Sequence, residues 1–433
     1  MPDAPRMPRV AFKTLGCKVN QVEAEQIAAA LLGEHIELSV DIEADVIVVN
    51  TCTVTAEADH KARKAVRHAL ALAQQPVVVV TGCLATLDAE GLQSLGDRVV
   101  VEADKDAVAA RVTALLAAQA PEAPATPEAP ATSATPDAPV ARTGRGFHTR
   151  AMVKVEDGCD NFCAYCIVPF ARGVPRSTPL ADVVAEVEAL VAAGVREVVL
   201  TGINIGRYDN AGAQLPELIQ AVAATGIERI RLSSIEPPDV DAHFLQVVAA
   251  LPAFCRHLHI PLQSGCDRTL TEMGRHYTVA GYTSTIARAR EALPGLVLST
   301  DILVGFPGET DADAAETFAL LKRIGFAKLH VFRYSARPGT LAFTRDDRVS
   351  PRDAAVRSER VRVRGEHMRD AHLRAQVGTD VEVLVERVNA DGIAAGVARD
   401  GSRVRLESQA APGSLVSAHV TGVEGAVLIG TEA

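Results

Sequence analysis

Short runs of consecutive apolar, mostly β-branched residues, each followed by a stretch of helical periodicity, recur from Val10 to Tyr334. Strands that are apolar on both faces and alternate with helices belong to parallel sheets covered on both sides. The pattern falls into two blocks. In the first, Val10–Leu15, Asp45–Asn50, Val77–Thr81 and Arg98–Val101 read as strands, with helical patterns at Glu23–Leu32, Glu57–Leu72, Asp88–Leu95 and Asp104–Leu116. In the second, strands are expected at Met152–Glu156, Glu197–Thr201, Arg229–Ser233, His257–Pro261, Val297–Leu303 and Lys328–Phe332. Helical patterns separate these, notably Asp182–Ala193, Thr278–Leu293 and Asp311–Ile324. Six βα repeats imply a partial (β/α)6, TIM-like barrel.

Between the blocks, Pro121–Pro139 holds six prolines spaced by Ala, Thr and Glu, a composition that builds no core and reads as a spacer. After them, Arg345–Gln376 carries nine arginines against six acidic residues and looks helical. From Val377 the pattern changes to strict alternation broken by Gly and Asp-Gly turns, the mark of a small all-β barrel. The fold class is therefore α/β, with an N-terminal open parallel-sheet domain at 8–117, a linker at 118–146, the barrel-like core with its arginine-rich helix at 147–375, and a β domain at 376–433. The length of 433 residues agrees with about three domains. No stretch approaches the ~18 apolar residues of a membrane span, and Met1–Arg9 lacks the apolar run of a signal peptide, so a cytoplasmic protein without a membrane partner is expected. A net charge of −10 excludes a surface that is basic throughout, though not local basic patches. No Trp and 4% aromatics leave no broad platform for stacking bases. Eight cysteines in such a chain read as thiols or metal ligands rather than a disulfide scaffold.

Their positions separate them. Cys159, Cys163 and Cys166 are spaced CxxxCxxC, directly after the first strand of the second block, where such sheets place active sites. Three thiolates on one loop suit three irons of a cubane cluster and leave the fourth without a protein ligand. Zinc is the alternative, but structural zinc takes four ligands and no fourth Cys or His lies close in sequence. Cys17, Cys52 and Cys83 form a second trio, 35 and 31 residues apart, about one βα unit each. Each lies just past an expected parallel strand, so the three converge in space without being close in sequence. A second iron–sulfur cluster is inferred there. Cys255 and Cys266 match no ligand spacing and read as structural thiols.

CxxxCxxC after a first strand, with Tyr165 before the third cysteine, resembles the radical S-adenosylmethionine enzymes. Four later segments, Gly202–Asn204, Ser233–Pro237, His259–Gly265 (HIPLQSG) and Asp301–Thr310 (DILVGFPGET), resemble their methylthiotransferase branch, as do TLGCKVN, NTCTVT and TGC around the N-terminal trio. The resemblance implies two 4Fe–4S clusters and S-adenosylmethionine as cofactors. It places Tyr165, Gly202, Asn204, Ser233, Gln263, Ser264 and Asp301 around S-adenosylmethionine, and implies that the N-terminal cluster carries or donates the inserted sulfur. It further implies a tRNA substrate, a low-potential electron donor, a sulfur source and a monomeric enzyme. The C-terminal β domain resembles the TRAM domain, an RNA-binding barrel; having no aromatic after Phe343, it would bind by backbone charge and shape.

Two basic segments suit tRNA. Lys61, Lys64 and Arg67 recur at helical spacing and share much of one face, and Arg345–Arg374 is the other. Lys18-Val19 after the first cysteine resembles the branch that methylthiolates N6-threonylcarbamoyladenosine at tRNA position 37; the alternatives are the isopentenyl-adenosine branch and the branch acting on a ribosomal protein. A threonylcarbamoyl group carries a carboxylate, which arginine binds bidentately. Arg172, Arg176, Arg333 and Arg337 lie near expected strand ends and are the candidates.

Overall fold

The computed structural model describes residues 6–32, 34, 36–119 and 149–433, so the proline-rich spacer lies outside the described residues. These residues form two compact units. The first contains five strands, β1 (Arg9–Thr14), β2 (Glu37–Leu38), β3 (Val46–Thr51), β4 (Val77–Gly82) and β5 (Val99–Val101), in the order β2-β1-β3-β4-β5. Every pairing is parallel. Side chains alternate across a strand, so β3 divides its residues. Val46 and Val48 pack with Ile27, Leu31, Val108 and Val112 of the helices Lys18–Leu32 and Val108–Gln119. Ile47 and Val49 pack on the other face with Ala62, Val66 and Leu84. The basic helix Ala56–Leu70 starts where Thr55 accepts a hydrogen bond from Ala58 N, a cap worth about 1 kcal/mol. Glu57 and Asp59 in its first turn and Arg67 in its last complement its dipole.

The second unit holds the barrel-like core and the C-terminal barrel. Six parallel strands carry the core: β6 (Arg150–Lys154), β9 (Glu197–Thr201), β12 (Arg229–Leu232), β13 (His257–His259), β14 (Val297–Val304) and β15 (Lys328–Arg333). They form two three-stranded sheets, β6-β9-β12 and β13-β14-β15, linked by single parallel bridges at Ile230–Phe254 and Ser234–His259. Short hairpins, β7 (Glu156–Asp157) with β8 (Arg176–Ser177) and β10 (Asp209–Asn210) with β11 (Ala213–Gln214), decorate the connections. Helices such as Leu180–Ala192, Val279–Ala292 and Asp311–Ile324 cover the outer face, burying Val187, Ile286 and Leu321 against Leu200, Leu258 and Ile302. The arginine-rich stretch becomes helical at Pro351, just after Ser350, whose side chain caps it, and runs to Arg374. Several of its arginines are used internally: Arg360 and Arg364 stand 4.2 and 5.0 Å over the Phe318 ring, and Arg357 pairs with Glu309.

Five strands, β16 (Asp380–Val388), β17 (Ile393–Ala398), β18 (Arg403–Glu407), β19 (Leu415–Glu424) and β20 (Val427–Glu432), close a barrel in the order β16-β17-β18-β20-β19. Charged side chains tie it to the core. Arg229, fully buried on β12, pairs with Glu197 at 3.3 Å and Glu382 at 2.9 Å, and donates to the carbonyls of Glu382 (2.6 Å) and Val397 (3.1 Å). Arg231 pairs with Glu197 at 2.9 Å and donates to Ala398 O. The cations of core strand β12 thus share their donors between Glu197 of the core and the edge of the β barrel, which ties the two together within one unit.

Candidate active site: two cysteine trios at strand ends

The loop after β7 carries the CxxxCxxC trio. Gly158 opens it at φ 97°, and a Cβ there would lie 2.2 Å from Val174 O, so only glycine fits. Backbone bonds pin the loop: Cys159 N donates to Gly173 O, Cys166 N to Cys163 O, and Ala164 N to Met273 O. Phe162 between the first two cysteines is exposed and left-handed at φ 43°, a strained conformation of the kind that gathers at functional sites. Burial pushes the Cys166 thiol up to about 12, and raises Cys159 as well, with the neighbouring Cys163 adding to both. Thiols held this way ionise only with a cation beside them. Arg275 is one: its side chain is 4% exposed, and its Nη1 donates to Cys163 Sγ at 3.3 Å. It is fixed on two further sides, by Glu236 and by the Tyr277 hydroxyl at 3.1 Å. On β9's end, Asn204 Nδ2 points at Cys159 Sγ (3.7 Å) while its backbone N–H donates to Glu156 at 2.7 Å.

The residues expected around S-adenosylmethionine divide. Asn204 and Ser233 are buried, and Asn204 Oδ1 and Ser233 Oγ find no protein partner among the described residues. Gly202 abuts Glu156, whose carboxylate a Cβ there would meet at 2.8 Å. Gln263 is left-handed at φ 62° where its strand ends, its N–H on Asp301 O. Tyr165 packs with Met273, Leu303 and Phe306, edge-on to the Phe306 ring at 6.5 Å. Ser264 turns inward, its hydroxyl 3.3 Å from that of Thr317. Asp301 lies in the middle of β14, 3.1 Å from His259 Nε2 and 3.2 Å from His330 Nδ1. Burial works to raise its pKa, but the neighbouring imidazoles of His259 and His330 win and hold the carboxyl well below the usual carboxylate range.

The first unit brings its three cysteines together. Cys17 follows Gly16 (φ 106°), whose Cβ would lie 2.5 Å from Cys52 Cβ and 3.0 Å from its Sγ. Cys52 follows β3, and Cys83 opens the helix after β4. Burial pushes the Cys52 thiol up to about 11, and Cys83 and Cys17 push it further. Asn20 laces the strand ends: its Nδ2 donates to Leu15 O (2.8 Å) and Thr51 O (2.9 Å), and its backbone carbonyl accepts from Asn50. The segment Phe170–Arg172 groups with this unit. Arg172, read from sequence as a substrate cation, is buried instead: it pairs with Glu23 at 2.9 Å, donates to Asn20 Oδ1 at 2.6 Å and hydrogen-bonds Cys83. Lys105 joins the same Glu23 at 2.6 Å. Burial raises the Cys83 thiol while Arg172 and Lys105 pull it back.

The other candidate cations stay near the surface with one exception. Lys61, Lys64 and Arg67 are exposed on the helix Ala56–Leu70, Lys61 pairing with Glu57. Arg176 and Arg333 are exposed at strand ends, whereas Arg337 is 6% exposed. Arg275, Glu236, Asn20 and Glu23 receive no role from the sequence alone. Asn20 and Glu23 sit within the TLGCKVN…E pattern and had that signal; Arg275 lies 112 residues from Cys163 and had none.

Residues 153–321 match the Radical SAM superfamily, and residues 9–102 match the uncharacterized protein family UPF0004. The threonylcarbamoyladenosine tRNA methylthiotransferase MtaB of Bacillus subtilis is 39% identical over 365 residues, 82% of this chain and 79% of that protein. Its namesake in Thermotoga maritima is 34% identical over 400 residues, 90% and 89% of the two chains. The chain belongs to the radical SAM methylthiotransferase family. A further relative, the tRNA-2-methylthio-N(6)-dimethylallyladenosine synthase of Anaeromyxobacter dehalogenans, is 36% identical over 439 residues, 98% and 94% of the chains. Among solved structures, the radical S-adenosylmethionine methyltransferase TsrM of Kitasatospora setae shares the fold, with a TM-score of 0.57 at 17% identity over 77% of this chain and 73% of that one. As a radical SAM methylthiotransferase, the chain uses S-adenosylmethionine and a 4Fe–4S cluster. Its residues fit both groups: three thiols share one loop beside a buried guanidinium, Asn204 reaches Cys159, and Asn204 and Ser233 keep buried polar atoms without a partner among the described residues.

Proposed function

We propose that this chain methylthiolates C2 of N6-threonylcarbamoyladenosine at position 37 of tRNA, next to the anticodon, giving 2-methylthio-N6-threonylcarbamoyladenosine. The observation that carries the reading is the pair of cysteine trios at parallel-strand ends, each a set of three ligands that leaves one iron of a cubane open. Cys159, Cys163 and Cys166 hold one 4Fe–4S cluster, and Cys17, Cys52 and Cys83 hold a second. When bound, the first supplies the electron that cleaves S-adenosylmethionine and the second supplies the sulfur. The protein's own part is placement. Asn204 and Ser233 offer the unpartnered polar atoms for the head of S-adenosylmethionine, Gly202 and Gln263 line the same strand ends, and Tyr165 flanks the adenine. Arg275 and Arg172 neutralise thiolate charge at the two trios. Arg176 and Arg333, both exposed, and the buried Arg337 are the candidates for the threonylcarbamoyl carboxylate. The exposed face of Lys61, Lys64 and Arg67, together with the C-terminal β barrel, carries the tRNA backbone. A low-potential electron donor and a sulfur source complete the cycle.

The test offers purified enzyme two tRNAs, one bearing threonylcarbamoyladenosine and one isopentenyl-adenosine, and reads nucleosides by mass spectrometry. Methylthiolation of the first alone is expected, because an apolar isopentenyl group offers the arginines no carboxylate to bind. Product on the isopentenyl form alone overturns the substrate assignment. Iron counting tests the clusters. Replacing either trio by alanine should halve the iron of the reconstituted enzyme, and loss of the N-terminal trio should leave S-adenosylmethionine cleavage without sulfur insertion. Full iron in that variant removes the second cluster from the scheme.

A further inference from the structure

Three neighbouring strands of the core bring a second set of ligand side chains together. In the parallel register His259 of β13 stands opposite Ser299 of β14, and Asp301 of β14 opposite His330 of β15. Alternation puts His257, His259, Ser299 and Asp301 on the sheet face away from Leu258, Leu298 and Ile302, which pack under the helices. His259 Nε2, an Asp301 carboxylate oxygen and His330 Nδ1 all lie within 4.8 Å of one another. The imidazoles stack at 5.1 Å, 25° from parallel.

The hydrogen bonds behind this trio decide what it presents. Ser299 Oγ lies 3.0 Å from His259 Nδ1 and 3.1 Å from His257 Nε2. One hydroxyl has one proton. When Ser299 donates to His257, it accepts from His259 Nδ1–H, and the neutral His259 turns its Nε2 lone pair toward the Asp301 carboxylate, 3.1 Å away. A lone pair facing a carboxylate needs a positive charge between them. His330 Nδ1 approaches the same oxygen at 3.2 Å. Metal–nitrogen and metal–oxygen bonds of roughly 2.0–2.2 Å, at about 90–110° to one another, set ligand atoms about 3–3.5 Å apart, the spacing of both histidine nitrogens from the Asp301 oxygen. A hydrogen bond to the rear nitrogen of a ligating histidine is also the usual outer support of such sites.

We propose that His259, Asp301 and His330 form a binding site for one divalent transition-metal ion of borderline softness, of the zinc or ferrous class, separate from both cysteine trios. Two imidazoles and one carboxylate suit such ions over magnesium or calcium, which prefer all-oxygen sites. Entry is from the open face, where the His330 side chain is 38% exposed and Asp301 23%. The three ligands leave further coordination positions for water or a substrate oxygen.

The experiment uses the full-length, untagged enzyme with its iron–sulfur clusters in place. Zinc(II) alone is added, excess is removed by gel filtration, and zinc and iron are counted together. One zinc per chain is expected in the wild type with iron unchanged. His330→Ala and Asp301→Asn should lose the zinc and keep the iron, and Ser299→Ala should weaken zinc binding roughly ten- to hundredfold through the lost outer hydrogen bond. Zinc X-ray absorption on the wild type gives an independent reading that survives a variant failing to fold: imidazole and oxygen donors without sulfur support the site. No retained zinc, zinc retained equally by the variants, or zinc bound to sulfur overturns it, and the histidines then hold Asp301 by protons alone. None of these outcomes bears on the choice of tRNA substrate.

Discussion

At the scale of single residues, the CxxxCxxC loop depends on a cation it does not itself contain. Arg275 reaches Cys163 with one N–H and is held rigidly by Glu236 and Tyr277, so its charge stays at the sulfur. Extra negative charge on a reduced cluster is stabilised by such a donor. Arg275→Met is therefore expected to shift the cluster's midpoint potential to more negative values and slow S-adenosylmethionine cleavage while iron content stays constant, read by potentiometric titration with electron paramagnetic resonance. Arg275→Lys keeps the charge but not the fork, and should recover the potential in part. An unchanged potential in the Met variant would reduce Arg275 to a packing role. Asp239 offers a pH reading. Burial pushes its carboxyl up to about 6, against Arg207, which lowers it, while Glu236 adds to the rise. The folded state thus binds this proton more tightly than the unfolded chain, so stability falls as pH rises from about 4 through about 6. Asp239→Asn should raise Tm relative to wild type at pH 7.5 and show no such gain at pH 4.

Elements meet closely where the long arginine-rich helix crosses the core. Gly365 faces β15, and a Cβ there would come within 3.2 Å of Leu329 Cβ. The contact between Pro351–Arg374 and β15 is therefore a close backbone approach that a larger residue would wedge apart. Gly365→Leu is expected to cost about 1–3 kcal/mol through overpacking, read as a fall in Tm. Gly365→Ala should be close to neutral, because the helix propensity gained, about 1 kcal/mol, offsets the crowding. A Leu variant as stable as wild type would mean that the helix can lift from β15 at no cost. The same helix explains why the nine-arginine stretch Arg345–Gln376 is less available to RNA than its composition suggests: Arg357, Arg360 and Arg364 are spent on Glu309 and the Phe318 ring.

At the scale of the second unit, the β barrel is part of the fold and not an appendage. Arg229 and Arg231 on β12 are buried with Glu197, and further donors of theirs end on Glu382, Val397 and Ala398 of the barrel. Removing one side of a buried charged network costs roughly 3–5 kcal/mol. A chain ending at Gln376 should therefore be markedly less stable or insoluble, in contrast to the separable RNA-binding domain that its sequence resembles. Adding Arg229→Met and Arg231→Leu to the truncation should recover part of the solubility, since it removes the cations that the barrel covered. Thermal denaturation of the two truncated forms checks this; equal Tm values for the intact and the truncated chain would show that the docking contributes nothing.

The local CxxxCxxC spacing pointed to one cysteine trio and the βα spacing to the other, because a residue just past a parallel strand reaches the same edge of the sheet whatever separates it from its neighbours in sequence. The same regularity made the layered N-terminal sheet, the six core strands and the closing β barrel legible, since hydrophobic period and turn residues are local properties. What surrounds the thiols was not local. Arg275 reaches Cys163 across 112 residues, and Arg172 reads as a free cation near a strand end until Glu23, 149 residues away, is found to hold it. His259, Asp301 and His330 look like scattered strand residues until the register sets them opposite one another. Sequence period decides which face a side chain takes; only the pairing of strands and the packing of helices decide which charges share it.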